Sequence, residues 1–131
     1  MISYPITLDG RTFRHIHVVG LKRHFVVTDT DLTERVQNGD IDRDVLGTFY
    51  NYSATIDSDD AHPEEYDAFY DIISSPEQSH DLIVPFAQTT MAFKAYVTTG
   101  DDDLLAMMEQ QNRWGSLTFN FIACAPQRRP V

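Results

Sequence analysis

Leu117, Phe119, Phe121 and Ala123 alternate with Thr118, Asn120, Ile122 and Cys124, and a period of two is the pattern of an extended strand with one buried face. An aromatic strand face of this kind needs a second layer to cover it. Pro126 ends the run. The other half of the requirement is met upstream, where Tyr66, Phe69, Tyr70 and Ile73 fall at i, i+3, i+4 and i+7 and so form one apolar stripe on a helix. Pro63 suits the first turn, Glu64, Glu65 and Asp67 favour the positive end of the helix dipole, and Ser75-Pro76 stops propagation. A helix over about residues 63–74 is therefore expected to lie on a sheet.

The remaining segments supply that sheet. Ile6-Thr7-Leu8 and Arg11-Thr12-Phe13 flank Asp9-Gly10, a pair that readily takes the positive φ angles of a tight hairpin. After Gly20, Leu21–Val27 is short and β-branched, and Thr28–Asp44 reads as a polar loop or an irregular edge around Asn38-Gly39. Val45–Ile56 alternates, with Leu46, Tyr50, Tyr52, Ala54 and Ile56 expected on one face. Asp81–Phe86 and Thr90–Thr98 read as strands joined around Gln88, with Met91, Phe93, Ala95 and Val97 on one side. Gly100-Asp101-Asp102-Asp103 reads as a charged break, and Leu104–Gln111 as either a short helix or a mobile excursion. The expected class is α+β, a mostly antiparallel β sheet or sandwich with one central helix. At 131 residues, 42% of them apolar, the chain suits a single domain, 1–131.

Charge is distributed unevenly. Between Asp57 and Glu109 there are thirteen carboxylates and one cation, Lys94, so the net charge of −10 sits almost wholly in one stretch. A surface of that sign repels nucleic acid. The first residues lack a basic flank and an apolar run, and no apolar stretch approaches the roughly 20 residues that span a bilayer. The single Cys124 excludes an internal disulfide; its alternation with aromatic residues suggests a buried, inert thiol.

No motif in the chain points to a particular chemistry. Asp40-Ile41-Asp42-Arg43-Asp44 imitates a calcium loop but has no Gly at the sixth position and Asn51 at the twelfth. Asp57-Ser58-Asp59-Asp60 reaches Ala68 at its twelfth, so helix capping or surface charge explains it better. His15 and His17, at i and i+2 of a strand, would face one side and bind a metal if a third ligand arrived; His24, His62 and His80 are scattered, and no metal or other cofactor is expected. His80-Asp81 is a poor catalytic pair, since neighbours in a strand point to opposite faces. Tyr50, Tyr52 and the helix aromatics are either core or a ligand platform, and Arg113-Trp114 is a possible cation–ring stack. A carboxylate-based hydrolase would require two acids in one cleft with a raised pKa.

Several stretches carry a resemblance: Ile2-Ser3-Tyr4-Pro5-Ile6, Gly47-Thr48-Phe49-Tyr50-Asn51-Tyr52, Glu65-Tyr66-Asp67-Ala68-Phe69-Tyr70, Ala95-Tyr96-Val97-Thr98, and Asn112-Arg113-Trp114-Gly115 through Pro126-Gln127-Arg128. Together they resemble a group of small proteins encoded in prophages of gut Firmicutes. The order of elements is similar to that of tail-tube and distal-tail proteins of long-tailed phages. The resemblance implies a non-enzymatic virion structural protein, a tail-tube, distal-tail or connector-like component that forms homo-oligomeric rings, usually hexameric, around an acidic channel through which DNA slides. Its partners would be copies of itself and other tail or connector proteins, with no tight nucleic-acid binding and no membrane. Its location would be the virion tail, and the bacterial host cytoplasm during assembly. Asp101, Asp102 and Asp103 are then candidates to face the channel or an adjoining subunit, with Thr28–Asp44 and Thr99–Gln111 as ordering loops. Arg128 and Arg129 either meet the acidic surface across an interface or form a solvated end. The alternative is a monomeric binding module that takes a small ligand or host protein on its aromatic faces.

Overall fold

The computed structural model describes residues 6–30, 34–35, 39, 41–107 and 109–130. The stretch Ile2–Pro5 and Asp40, used above, lie outside the described residues. Among the described residues ten strands and one helix follow in order: β1 (Ile6–Leu8), β2 (Arg11–Phe13), β3 (Ile16–Asp29), β4 (Glu34–Arg35), β5 (Ile41–Asp42), β6 (Val45–Ser58), α1 (Pro63–Ile73), β7 (His80–Phe86), β8 (Thr89–Tyr96), β9 (Gly100–Met107) and β10 (Asn112–Ala123). Every described pairing is antiparallel. The class is α+β, as the periodicities indicate.

Strand β10 joins the halves of the sheet. The main order is β2-β1-β7-β8-β10-β6-β3, with β9 also paired to β10 and β4-β5 forming a separate ribbon. Along one edge β10 pairs with β6 from Leu117 to Phe121. Along the other it pairs with β9 over Asn112 to Phe119 and then with β8 at Ile122 and Ala123. Its alternating Leu117, Phe119, Phe121 and Ala123 are all buried.

Helix α1 closes the core. Pro63 stands in its first turn with Glu64 and Glu65, and Ser74 ends it, its Oγ–H donating to the Tyr70 carbonyl at 2.6 Å. Tyr66, Phe69 and Ile73 are buried, whereas Tyr70 remains 38% exposed at the edge of the stripe. Phe69 meets Phe13 edge-on at 5.1 Å and Phe119 at 5.6 Å, and Phe119 meets Phe121 edge-on at 4.9 Å. Edge-to-face contacts of this kind add to the burial of the rings themselves. No helix among the described residues is long and apolar enough to cross a membrane.

Three segments depart from expectation, each because of how its strand is paired. Gly20 does not start a short strand; β3 runs fourteen residues, Ile16–Asp29. The glycine sits beside a bulge, where Val18 pairs with Ile56 and Gly20 with Thr55, so Val19 is the extra residue and the strand continues past it. Leu46 is exposed rather than facing the core. A second bulge pairs Thr28 with Gly47 and Asp29 with Val45, which throws Leu46 out of register. Finally, residues 100–107 form neither a break, a helix nor a mobile excursion but edge strand β9, because β10 offers it a ladder of backbone partners that outweighs the poor strand propensity of three aspartates. Within Thr28–Asp44 the described residues fit the irregular-edge alternative, with Thr30 N–H donating to the Asp44 carbonyl at 2.8 Å and the ribbon β4-β5 beyond it.

Phe119 and Trp114 should therefore behave very differently. Phe119→Ala is expected to cost about 3–5 kcal/mol, as for other buried rings. Trp114 is 36% exposed, so Trp114→Ala should cost at most about 2 kcal/mol. Chemical denaturation of the two variants reads the contrast.

Candidate functional site

Strand β3 ends the main sheet order, so one of its backbone edges has no strand partner among the described residues. Most of its fourteen residues are exposed on both faces. Val19 and Phe25 are 63% and 65% exposed, and Val18, Val26 and Val27 are also exposed large apolar residues. Charge on the strand comes from Lys22, Arg23 and the terminal Asp29; Asp29 Oδ1 is held by Arg43 Nε at 2.6 Å, and Arg23 lies over the Phe86 ring at 5.1 Å. A long apolar edge is a template for pairing with another strand.

A second surface is acidic. Tyr66, Asp67, Tyr70 and Asp71 of α1, with Asp102 of β9 and Trp114 of β10, line a cleft of about 270 Å3. The Tyr66 hydroxyl donates to Asp102 Oδ2 at 2.9 Å, and burial followed by this carboxylate pushes the phenol pKa well up. Asp67 is also raised, by burial first and then by Asp71 and Glu64. Beside this cleft, Tyr70, Glu77 and Asp101 border a wider groove of about 540 Å3 running between the end of α1 and the start of β9.

The aspartates of β9 therefore divide. Asp101 and Asp103 are exposed, while Asp102 is half-buried and tied to Tyr66. Asp102 is part of the fold as well as of the surface, so treating all three as a loose charged loop is corrected. Arg128 and Arg129 are exposed, but the chain that carries them is not a loose end. The Thr48 N–H donates to the Arg128 carbonyl at 2.7 Å, and the Gln127 amide brackets Tyr50, accepting from its N–H at 2.9 Å and donating to its carbonyl at 2.9 Å. Gly47 makes room for this docking: a Cβ there would lie 2.7 Å from both the Arg128 carbonyl and Pro126 Cβ.

The histidines regroup. His15 lies ahead of β3, so the i, i+2 strand argument for His15 and His17 does not hold. Its ring stacks on His62 at 3.8 Å, and its Nε2 is 3.7 Å from Glu65 Oε2. His17 Nε2 faces Asp59 Oδ2 at 3.8 Å. His80 turns away from Asp81 as expected, and its buried Nδ1 meets Asp9 Oδ2 at 2.7 Å. Asp9 Oδ1 also accepts the Asp81 N–H at 2.8 Å, which locks the first hairpin to β7.

Other candidates have structural roles. Tyr52 is core, with its hydroxyl donating to the Pro85 carbonyl at 2.9 Å, and Tyr50 packs edge-on to Phe86 at 5.2 Å. Arg113 pairs with Asp60 at 3.1 Å in place of stacking on Trp114. Asp59 Oδ1 accepts the Ala61 N–H at 3.0 Å, ordering the turn before α1 rather than capping the helix, whose N-cap is His62. Asp57 Oδ1 accepts the Ser116 N–H at 2.7 Å. Cys124 is exposed, which corrects its expected burial; it follows buried Ala123 and falls on the solvent side of the alternation. The chain matches no protein-family model and no curated protein.

Two outcomes follow. Gly47→Ala should lower stability by about 1–3 kcal/mol through overpacking and should speed tryptic cleavage after Arg128 as the tail undocks, since Pro130 protects the bond after Arg129. For Asp67, a carboxyl whose folded pKa lies above the ordinary 3.8, the folded state favours the protonated form, so stability is fully present at lower pH and is lost as pH rises through the shifted value. Asp67→Asn should accordingly raise Tm at pH 7, with the gain vanishing below the ordinary pKa.

Proposed function

We propose that this protein is a non-enzymatic structural subunit of a prophage virion, a tail-tube, distal-tail or connector-like component that associates with copies of itself into a ring. The observation that carries the reading is the edge of β3. Fourteen residues with a backbone edge that has no strand partner among the described residues, and with exposed Val18, Val19, Phe25, Val26 and Val27, gain both ladder hydrogen bonds and apolar burial when a neighbouring subunit covers them. Where that neighbour covers β3 with a different surface, so that the contact is head-to-tail, its repetition closes a ring when the rotation permits.

Charge supports the same reading. The exposed side of α1 and strand β9 bring Asp67, Asp71, Asp101 and Asp102 to adjoining clefts, and a wall of carboxylates turned to a shared space would keep phosphate from adhering. Arg128 and Arg129, held on the β6 side by the docked tail, supply the opposite sign for contacts between subunits. The subunit would assemble in the bacterial host cytoplasm, reside in the virion tail, and meet other tail or connector proteins there.

The aromatic cleft favours one competing reading, a monomeric binding module for a small ligand or host protein. At about 270 Å3 it falls just under the usual range of roughly 300–1,000 Å3 for ligand sites. As a hydrolase site the same cleft holds Asp67, Asp71 and Asp102, with the pKa of Asp67 raised, but Asp102 is engaged by the Tyr66 hydroxyl, which leaves it poorly placed as the second carboxylate.

Sedimentation velocity over a wide concentration range separates these readings. A subunit of the proposed kind shows concentration-dependent multimers, and Phe25→Lys with Val27→Lys drives it to monomer while its melting transition stays nearly unchanged. A wild-type chain that sediments as a monomer at every concentration rules the ring subunit out.

A further inference from the structure

We infer that His15, His62 and Glu65 form a binding site for one divalent transition-metal ion of the zinc class, joining the turn ahead of β3 to the first turn of α1. The ligand atoms of these three side chains lie within 4.8 Å of one another. Two imidazoles and one carboxylate are a donor set that zinc accepts, leaving its fourth position to water.

The atoms that do not ligate are already engaged, which sets the cluster apart from a chance group of exposed acids. His62 Nδ1 lies 3.2 Å from Glu64 Oε1, an outer-shell carboxylate that fixes the ring and leaves Nε2 for an ion. Glu65 Oε1 accepts the N–H groups of Arg14 and His15 at 3.2 and 3.4 Å, leaving Oε2 directed to the Nε2 of His15 at 3.7 Å. The Glu65 side chain is only 13% exposed, so one ligand is held by the fold while the two histidine rings retain freedom to move.

Electrostatics favour a cation here despite the helix terminus. The N-terminal end of α1 contributes roughly half a positive charge. Asp59, Glu64 and Glu65 stand against it, with Asp59 placed to feel His15, His17 and His62 together.

The geometry also defines what binding must change. Tetrahedral ligands at roughly 2.0–2.2 Å from zinc are about 3.4 Å apart, so the cluster contracts on binding. The His15 and His62 rings are stacked with planes 22° apart, and lone pairs of face-stacked rings run side by side instead of converging. One ring must therefore turn out of the stack, which the partial exposure of both side chains permits.

The test is zinc titration of the full chain by calorimetry, in a Cys124→Ser background that removes the exposed thiol, with Co2+ absorption as a second readout. One ion per chain is expected, with loss of the His15–His62 ring contact in NMR spectra. His62→Ala and Glu65→Gln should abolish binding, Glu64→Gln should weaken it about 10-fold, and His24→Ala should leave it unchanged. Circular dichroism establishes that each variant is folded. No saturable binding by the folded parent, or equal affinity in His62→Ala and Glu65→Gln, overturns the site. Because binding is read on the single chain, its failure leaves the ring proposal standing, and the reverse also holds.

Discussion

The whole arrangement depends on β10 being buried on one face and paired along both edges. Leu117, Phe119, Phe121 and Ala123 point into the core, while the backbone holds β6 on one side and β9 then β8 on the other. Burial of those side chains supplies apolar free energy, and the ladders satisfy backbone groups that would be costly to leave unpaired in the interior. The helix is positioned by the same strand, because Phe69 packs on Phe119 and extends the aromatic contact to Phe13. Around this centre, β3 and β9 are left as edges, and those edges carry the apolar and the acidic surfaces.

Much of this was legible in the sequence because the strongest signals were periodic. The alternation from Leu117 to Ala123, the stripe Tyr66-Phe69-Ile73 and the Asp9-Gly10 turn each encode local geometry directly, and the turn does take positive φ at both positions, 51° and 84°. The bulges were not legible. They insert Val19 and Leu46 out of register through the pairing of two distant strands, and nothing local to either residue announces it. Strand β9 was hidden because Asp101, Asp102 and Asp103 disfavour strands by themselves; its structure comes from β10, not from its own composition.

The candidate site was legible only in outline. The acidic bias gave the sign of one surface, but the division of labour between exposed Asp101 and Asp103 and the Tyr66-bound Asp102 depends on which way a strand faces. The histidine cluster was missed for a related reason. His15 and Glu65 are fifty positions apart, and the spacing of His15 and His17 points to a pair that does not form, while the actual neighbours of His15 come from the turn before α1 and the first turn of that helix. Arg128 and Arg129 gave a basic end to the sequence, yet the docking of that end depends on Gln127 and on the absence of a side chain at Gly47.

The proposed assembly uses the edge of β3 that has no strand partner among the described residues. Amide hydrogen exchange across Ile16–Asp29, followed from dilute to concentrated protein, examines that edge directly. If neighbouring subunits pair there, the outward amides of β3 become protected as concentration rises, while those of β10 stay protected throughout. Outward β3 amides that exchange equally fast at every concentration would contradict it.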